Sequence, residues 1–461
     1  MSPETDKRIT EDLLRPMSHT SGSYYATVLF LSAIVLVGLG SWVYQMYYGI
    51  GLTGLNSPVF WGFYLVNFVF WIGISHAGTL ISAILRLVDA GWRRPVTRCA
   101  EAITAFALII GGMFPLIHLG RPWLFYYLIP VPDGRGLWPN FRSPLMWDFF
   151  AITTYLTASS LFLYLPMIPD FALVRDRSTG LRRTIYGMLA LGWQRTPKQW
   201  HRLESAMSIM AIAIIPVAVS VHSIVSFDFA MAVVPMWHST IFGPYFVAGA
   251  IFSGIAALII AMALLRKLLR IEAYLKPLHF DRLGKLLLTM SLLWGYFVFA
   301  ERLTVWYGNE SHEMPVFWAT FTGEFAPAFW LMVLVNFVVP VSILSFRKLR
   351  TISGCVVVSC GVVVGMWLER FLIVIPSLSY RQLSYRWGSY FPGWPELTIM
   401  ASTFAAMVLL YCLFAKFVPI ISIWELKAGG EGDAPDDAIE DLRQAKLVSA
   451  RAEPEAAREV L

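Results

Sequence analysis

A few polar side chains set in long apolar runs are the chemistry this sequence offers. His76 lies in SHAGT, His118 in IHLGRPW and Asp148 in SPLMWD. His222 and Asp228 share VHSIVSFDFA, and Glu–Arg doublets stand at Glu301–Arg302 and Glu369–Arg370. Ionisable groups are costly in a bilayer, so each is a candidate functional residue. His118 and Asp148 are the most suggestive, because the stretch between them, RPWLFYYLIPVPDGRGLWPNFRSP, is rich in aromatics and proline. A neutral imidazole and a partly desolvated carboxyl beside an aromatic, lipid-accessible cleft suit the oxidation of a quinol. Its two hydroxyls must lose protons as two electrons leave, and each needs an acceptor of matched basicity. In that scheme His118 and Asp148 are the catalytic pair, and Arg121 with Tyr126 or Tyr127 holds a carbonyl or covers the ring. A plainer scheme uses the same residues structurally. An interfacial His or Asp caps a helix, Asp148 suits a helix start whatever its role, and the Glu–Arg doublets are ion pairs.

These residues need helices to hold them at a common depth. The chain has 461 residues, of which 57% are hydrophobic and only 14% charged, with a mean hydropathy of +0.61. A soluble domain carries about 25% charged residues, so a soluble globular enzyme is excluded. About 20 apolar residues span a bilayer as a helix. Ten such runs are read, at about 25–48, 57–86, 99–120, 145–168, 203–226, 240–265, 284–307, 326–346, 351–375 and 397–422. The expected fold is therefore all-α and polytopic. Loops on one side carry twenty Lys and Arg against seven on the other. The positive-inside rule then puts both termini in the cytoplasm, and His118, Asp148, Asp228, Glu301 and Arg302 near the outer face. The polar segment 1–24 lacks a signal-peptide cleavage site, so the first apolar run is expected to stay as an anchor. Residues 425–461 form a charged tail.

An offset of 182 or 183 maps Phe60 onto Phe242, Phe63 onto Tyr245, Phe70 onto Phe252, Pro144 onto Pro327 and Trp147 onto Trp330. This suggests two four-helix bundles of parallel topology, helices 2–5 (about 57–226) and 6–9 (about 240–375), with helices 1 and 10 outside. Glu301 then stands where the first bundle has His118, and Leu331 where it has Asp148, so one quinol site is expected.

Two other functions compete. Haem needs histidine pairs at matching depth; His118 and His222 form one conceivable pair, while His76 lies deeper with no histidine partner. A secondary transporter would fit a repeat, but the polar groups cluster at outer ends, away from a midplane site. The cysteines, Cys99, Cys355, Cys360 and Cys412, form no CxxC or CxxCH motif, so neither an iron–sulfur cluster nor a c-type haem is expected in this chain. The net charge of +6 follows from the basic loops and calls for no nucleic acid.

Over residues 20–425 the chain resembles the NrfD/polysulfide-reductase type of membrane subunit. The resemblance rests on SHAGT, HLGRPW, SPLMWD, VHSIVSFDFA and MWHSTIFGPYFVAGAIFSG (Met236–Gly254). Within that type it is most similar to the larger ten-helix subunit of bacterial alternative complex III. The resemblance implies a subunit of the bacterial inner membrane that binds quinol (menaquinol or ubiquinol) near the outer face and carries no prosthetic group. Electrons would pass to an iron–sulfur subunit docked there and on to c-type haem subunits, with a paralogous membrane subunit alongside. It also implies a His and an Asp at the quinol site, which fall on His118 and Asp148, and a proton path that includes His76, Asp228, Glu301 and Arg302. Reductase members run the chemistry in reverse, as quinone-reducing anchors.

Overall fold

The computed structural model describes residues 3–129 and 143–429, and every regular element among them is a helix, with no strand. Lipid offers the backbone no hydrogen-bond partner, so an apolar run of this length must satisfy its own amides by coiling. An amphipathic helix α1 (Pro3–Ser18) precedes α2 (Gly22–Tyr48), α3 (Gly62–Leu87), α4 (Thr97–His118) and α5 (Pro144–Tyr164). Short helices α6 (Ile168–Asp176) and α7 (Gly180–Leu189) lead to α8 (Pro197–Ala230), α9 (Phe242–Leu268) and α10 (Pro277–Gly308). After α11 (Met314–Phe321), one span is built from α12 (Ala326–Val333), a π turn at Leu334–Val338 and α13 (Val339–Leu344). Then come α14 (Ile352–Ser379), α15 (Trp394–Phe417) and α16 (Ile423–Ala428). Among the described residues, ten helices are long and apolar enough to cross a membrane, the number read from the sequence. The chain is a multi-pass integral membrane protein.

Helix starts follow ordinary capping rules. Ser21 accepts from the Tyr24 amide at 3.3 Å, and Thr196 with Gln199 forms a capping box at the head of α8. Small residues set the packing. A Cβ at Gly78 would collide with the Ala100 carbonyl of α4, and one at Gly254 of α9 would collide with Ala77, so α3 meets both neighbours backbone to backbone. Helix α3 also packs on α8 and α14, which makes it the centre of the molecule. Helices α2 and α15 pair with each other at the edge and leave large apolar side chains such as Leu29, Phe30 and Val408 exposed, as lipid requires.

One end of the helix assembly carries a polar floor. Arg98 and Asp170 form a buried ion pair at 2.5 Å, and Arg98 also donates to the Pro166 and Pro419 carbonyls. Glu425 of α16 pairs with Arg86 at 3.2 Å and Arg93 at 3.1 Å. The charged tail read from residue 425 thus starts later in space than in composition, because Glu425 is buried against the membrane domain. Residues 430–461 lie outside the described residues. Lys427 of α16 approaches Asp6 of α1 at 3.6 Å, so the first and last described helices share one face.

Candidate functional site

Helix α4 ends at His118 because Gly120 turns left-handed (φ 66°) and Pro122 opens a new, tighter turn. The imidazole stacks on Trp61 with ring centroids 4.5 Å apart and 19° between planes, and meets the edge of Tyr64 at 6.3 Å. The Tyr64 hydroxyl donates to Gln45 Oε1, and Gln45 Nε2 donates to the Ile117 carbonyl at 3.2 Å. Three helices therefore converge on this ring. His118 Nδ1 has no hydrogen-bond partner among the described residues. Arg121, Tyr126 and Tyr127 lie on the turn that follows, all exposed, with the two tyrosine rings 4.6 Å apart. The rest of that loop, 130–142, lies outside the described residues.

Asp148 sits one turn into α5, behind Pro144 at the first helical position. It is buried, and its carboxyl interacts with that of Asp228 near the end of α8. One oxygen of each, Oδ1, lacks a hydrogen-bond partner. The sequence assigns Asp228 to a proton path apart from the site; the fold sets it directly against Asp148.

Six residues back along α8, about 9 Å at 1.5 Å per residue, His222 packs against His76 with ring centroids 4.4 Å apart. This corrects the depth argument, which left His76 without a histidine partner and grouped His222 with His118. The reason is that α8 runs on to Ala230, which sinks His222 a turn deeper than a helix ending at 226 would. Two imidazoles on opposite sides of one iron, each nitrogen about 2 Å from the metal, hold their centroids roughly 6 Å apart. This pair is in ring contact, closer than that spacing. His76 also packs on Tyr155 at 4.7 Å, and its Nδ1 lies 2.6 Å from the Ile72 carbonyl. Among the described residues, His76 Nε2 and both His222 nitrogens make no hydrogen bond of ordinary geometry, although the Ala218 and Phe246 backbones lie close to the two rings. Tyr155 and Thr104 both donate to the Ser75 carbonyl, at 3.2 and 2.6 Å, and Ser82 donates to Glu101 at 2.5 Å.

On the other side of α9, Glu369 and Arg370 form a buried pair at 2.9 Å. Trp294 Nε1 donates to Glu369 at 2.5 Å, and Arg370 lies over Phe246, 4.7 Å from its centroid. Phe246 in turn contacts His222 at 5.9 Å. Glu301 and Arg302 pair at 3.1 Å, and Arg302 donates to Thr320 at 3.2 Å. A cavity of about 20 Å³, room for a single water, lies among Glu301, Arg302, Tyr245 and Trp237. Leu331 is exposed. No cluster of three or more metal-ligating side chains occurs among the described residues.

Sequence reasoning missed Gln45, Trp61, Tyr64 and Tyr155, whose roles depend on contacts between helices. It also passed over Glu101, an intramembrane carboxyl that the rule applied to the others would have found.

The sequence matches the family described as "Polysulphide reductase, NrfD" over residues 51–380. It is 28% identical over 327 residues, 69% of each chain, to a Halobacterium salinarum protein proposed to be a membrane subunit of dimethyl sulfoxide reductase. It is 24% identical to the Hdr-like menaquinol oxidoreductase integral membrane subunit of Archaeoglobus fulgidus, covering 80% of this chain and 82% of that one. It is 23% identical to an Escherichia coli protein inferred to be the b-type cytochrome subunit of Ni/Fe-hydrogenase 2, over 86% of this chain and 92% of that one. The matched segment takes in every helix from α3 through α14, and with it His118, Asp148, Asp228, His76 and His222: the chain belongs to the NrfD (polysulphide reductase) family.

Proposed function

We propose that this chain is the quinol-binding membrane subunit of a multi-subunit oxidoreductase of the alternative complex III type. The observation that carries this is a pair of proton acceptors with unpaired atoms at the adjoining ends of α4 and α5, His118 against Trp61 and the Asp148–Asp228 carboxyl pair. Quinol bound there loses one hydroxyl proton to His118 and the other to the carboxyl pair as two electrons leave, which yields quinone. Arg121 and Tyr126 or Tyr127 cover the ring from the surface turn. Menaquinol or ubiquinol is the substrate; the likeness to a menaquinol oxidoreductase subunit supports the class.

Electrons leave to an iron–sulfur subunit on the outer face and then to c-type haem subunits, beside a paralogous membrane subunit. The chain lies in the bacterial inner membrane with both termini cytoplasmic, and protons are released outward. The buried His76–His222–Tyr155 contacts support a proton path that continues inward from Asp228, with Glu301 and Arg302 forming a second arm. No haem or iron–sulfur cluster belongs to this chain in this scheme; the ring contact between His76 and His222 supports that, and a Soret band arising from the chain would overturn it. A second reading makes the chain the quinone-reducing anchor of a polysulfide-reductase-like enzyme, with protons taken up at the same residues, and draws on the family match. Adding quinone and a low-potential donor to the purified complex distinguishes the two.

The decisive experiment compares the purified complex with His118→Ala and Asp148→Asn variants. General acid–base groups contribute about 10²–10⁴-fold, so each variant should lose quinol-dependent acceptor reduction on that scale while the subunits stay assembled. Unchanged turnover and inhibitor binding would remove both residues from the mechanism and put the site elsewhere or make this chain the paralogous subunit.

A further inference from the structure

Helices α2 and α15 join the rest of the molecule unevenly. Towards the end that carries His118 they are tied in, through Gln45 to Ile117 and through Thr403, which accepts from Trp71 at 3.1 Å. Towards the end that carries the chain termini they part from α9 and leave a crevice of about 840 Å³. Its walls are Ile260, Ala261 and Leu264 of α9 facing Phe404, Met407 and Val408 of α15, and Trp71 lies at its depth. The crevice opens sideways between helices whose outer surfaces are made for lipid.

Its mouth has a different chemistry. Arg15, His19, Arg270 and Lys416 line it, and among the described residues no Asp or Glu does. Lys416 donates to the Pro16 and His19 carbonyls at 2.6 and 2.7 Å, which pins the end of α1 over the opening. Arg15 reaches the Leu269 carbonyl at 3.3 Å, while Arg270 is exposed at the rim. A deep apolar slot beneath a ring of cations matches a molecule with hydrocarbon tails and an anionic head. A neutral quinone would need no cation cluster. A partner's transmembrane helix, about 10 Å across with a 1.5 Å rise per residue, would fill this volume in roughly seven residues, far short of a span.

We propose that this crevice binds an anionic phospholipid of the leaflet on the side of the chain termini, its tails between α9 and α15 and its phosphate at Arg15 and Arg270. The lipid fills the gap between the α2–α15 pair and the remaining helices. The proposal is independent of the quinol site.

The test uses the full chain within its purified complex, delipidated in mild detergent and titrated with dioleoyl-phosphatidylglycerol or dioleoyl-phosphatidylcholine under native mass spectrometry. The phosphatidylglycerol adduct should form at least about tenfold more tightly and raise the melting temperature. Combining Arg15→Gln with Arg270→Gln should bring the two lipids level, and Ala261→Phe, which fills the slot, should abolish the adduct without lowering the melting temperature of the lipid-free complex. Equal binding of the two lipids by the wild-type complex would overturn the proposal, even if the charge variants failed to fold. So would a phosphatidylglycerol preference that survives Ala261→Phe, or a photocrosslink from position 261 to a partner subunit.

Discussion

His118 owes its position to three residues that no spacing argument connects to it. Trp61 supplies a flat apolar face, and Tyr64 and Gln45 brace the end of α4 through the Ile117 carbonyl. The placement of His118 and Asp148 at the end of α4 and the start of α5 was legible, because each stands at the end of an apolar run. Trp61 was not, since it begins a different helix and its partner is chosen by packing. The His76–His222 contact was misread for a related reason: depth was inferred from a helix end that lies further along the chain. An aromatic stacking contact is worth about 0.5–1.5 kcal/mol. Trp61→Ala should therefore raise the inhibitor Kd and the quinol KM by about 2–12-fold and leave kcat nearly unchanged. A fall in kcat with constant KM would instead give Trp61 a part in the chemical step.

At the scale of elements, the ten spans were the most legible feature, because a run of about 20 apolar residues has few alternatives to a membrane helix. Boundaries moved where capping, rather than hydropathy, decides. Helix α8 starts at Pro197 behind the Thr196 capping box, and α10 at Pro277, both ahead of the apolar run. Helix α1 escaped the hydropathy reading because it is polar on average; its apolar residues Ile9, Leu13 and Met17 recur at four-residue steps on one face and are buried. The packing of α3 rests on absent side chains. Gly78→Leu would drive a side chain into the Ala100 backbone, which cannot retreat as a rotamer can. Overpacking of this kind costs about 1–3 kcal/mol or more. The variant should accumulate poorly and melt well below the wild type; normal yield and melting would mean that α3 and α4 can separate at no cost.

The whole molecule divides its polar groups between two faces. Acid and imidazole groups gather where α4 ends and α5 begins, and a cation-rich floor of Arg86, Arg93 and Arg98 closes the other end. The basic floor was foreshadowed by the loop charges, but the part played by Glu425 was not, because its partners lie more than three hundred residues away in the chain. Glu425→Gln leaves two largely buried guanidiniums without their carboxylate. Hydrogen bonds to charged groups contribute about 1.5–3 kcal/mol, so the variant should melt several degrees lower, with quinol kinetics intact once folded. Loss of quinol turnover in a fully folded Glu425→Gln complex would link the two faces directly. We propose that two four-helix units repeat here; under that offset an exposed Leu331 stands where the first unit has Asp148.

The pairing of α2 with α15 also sets a schedule for making the protein. Thr398 donates to Ser41 at 2.9 Å across a sequence separation of 357 residues, and a Cβ at Gly38 would overlap Ser402. Ribosomes add about 5–20 residues per second, so α2 waits in the bilayer for roughly 20–70 s before its main partner is synthesised. During that interval its small-residue seam is open to any neighbouring helix. A membrane insertase that shields this seam would act on the nascent chain, well before the last helices are made.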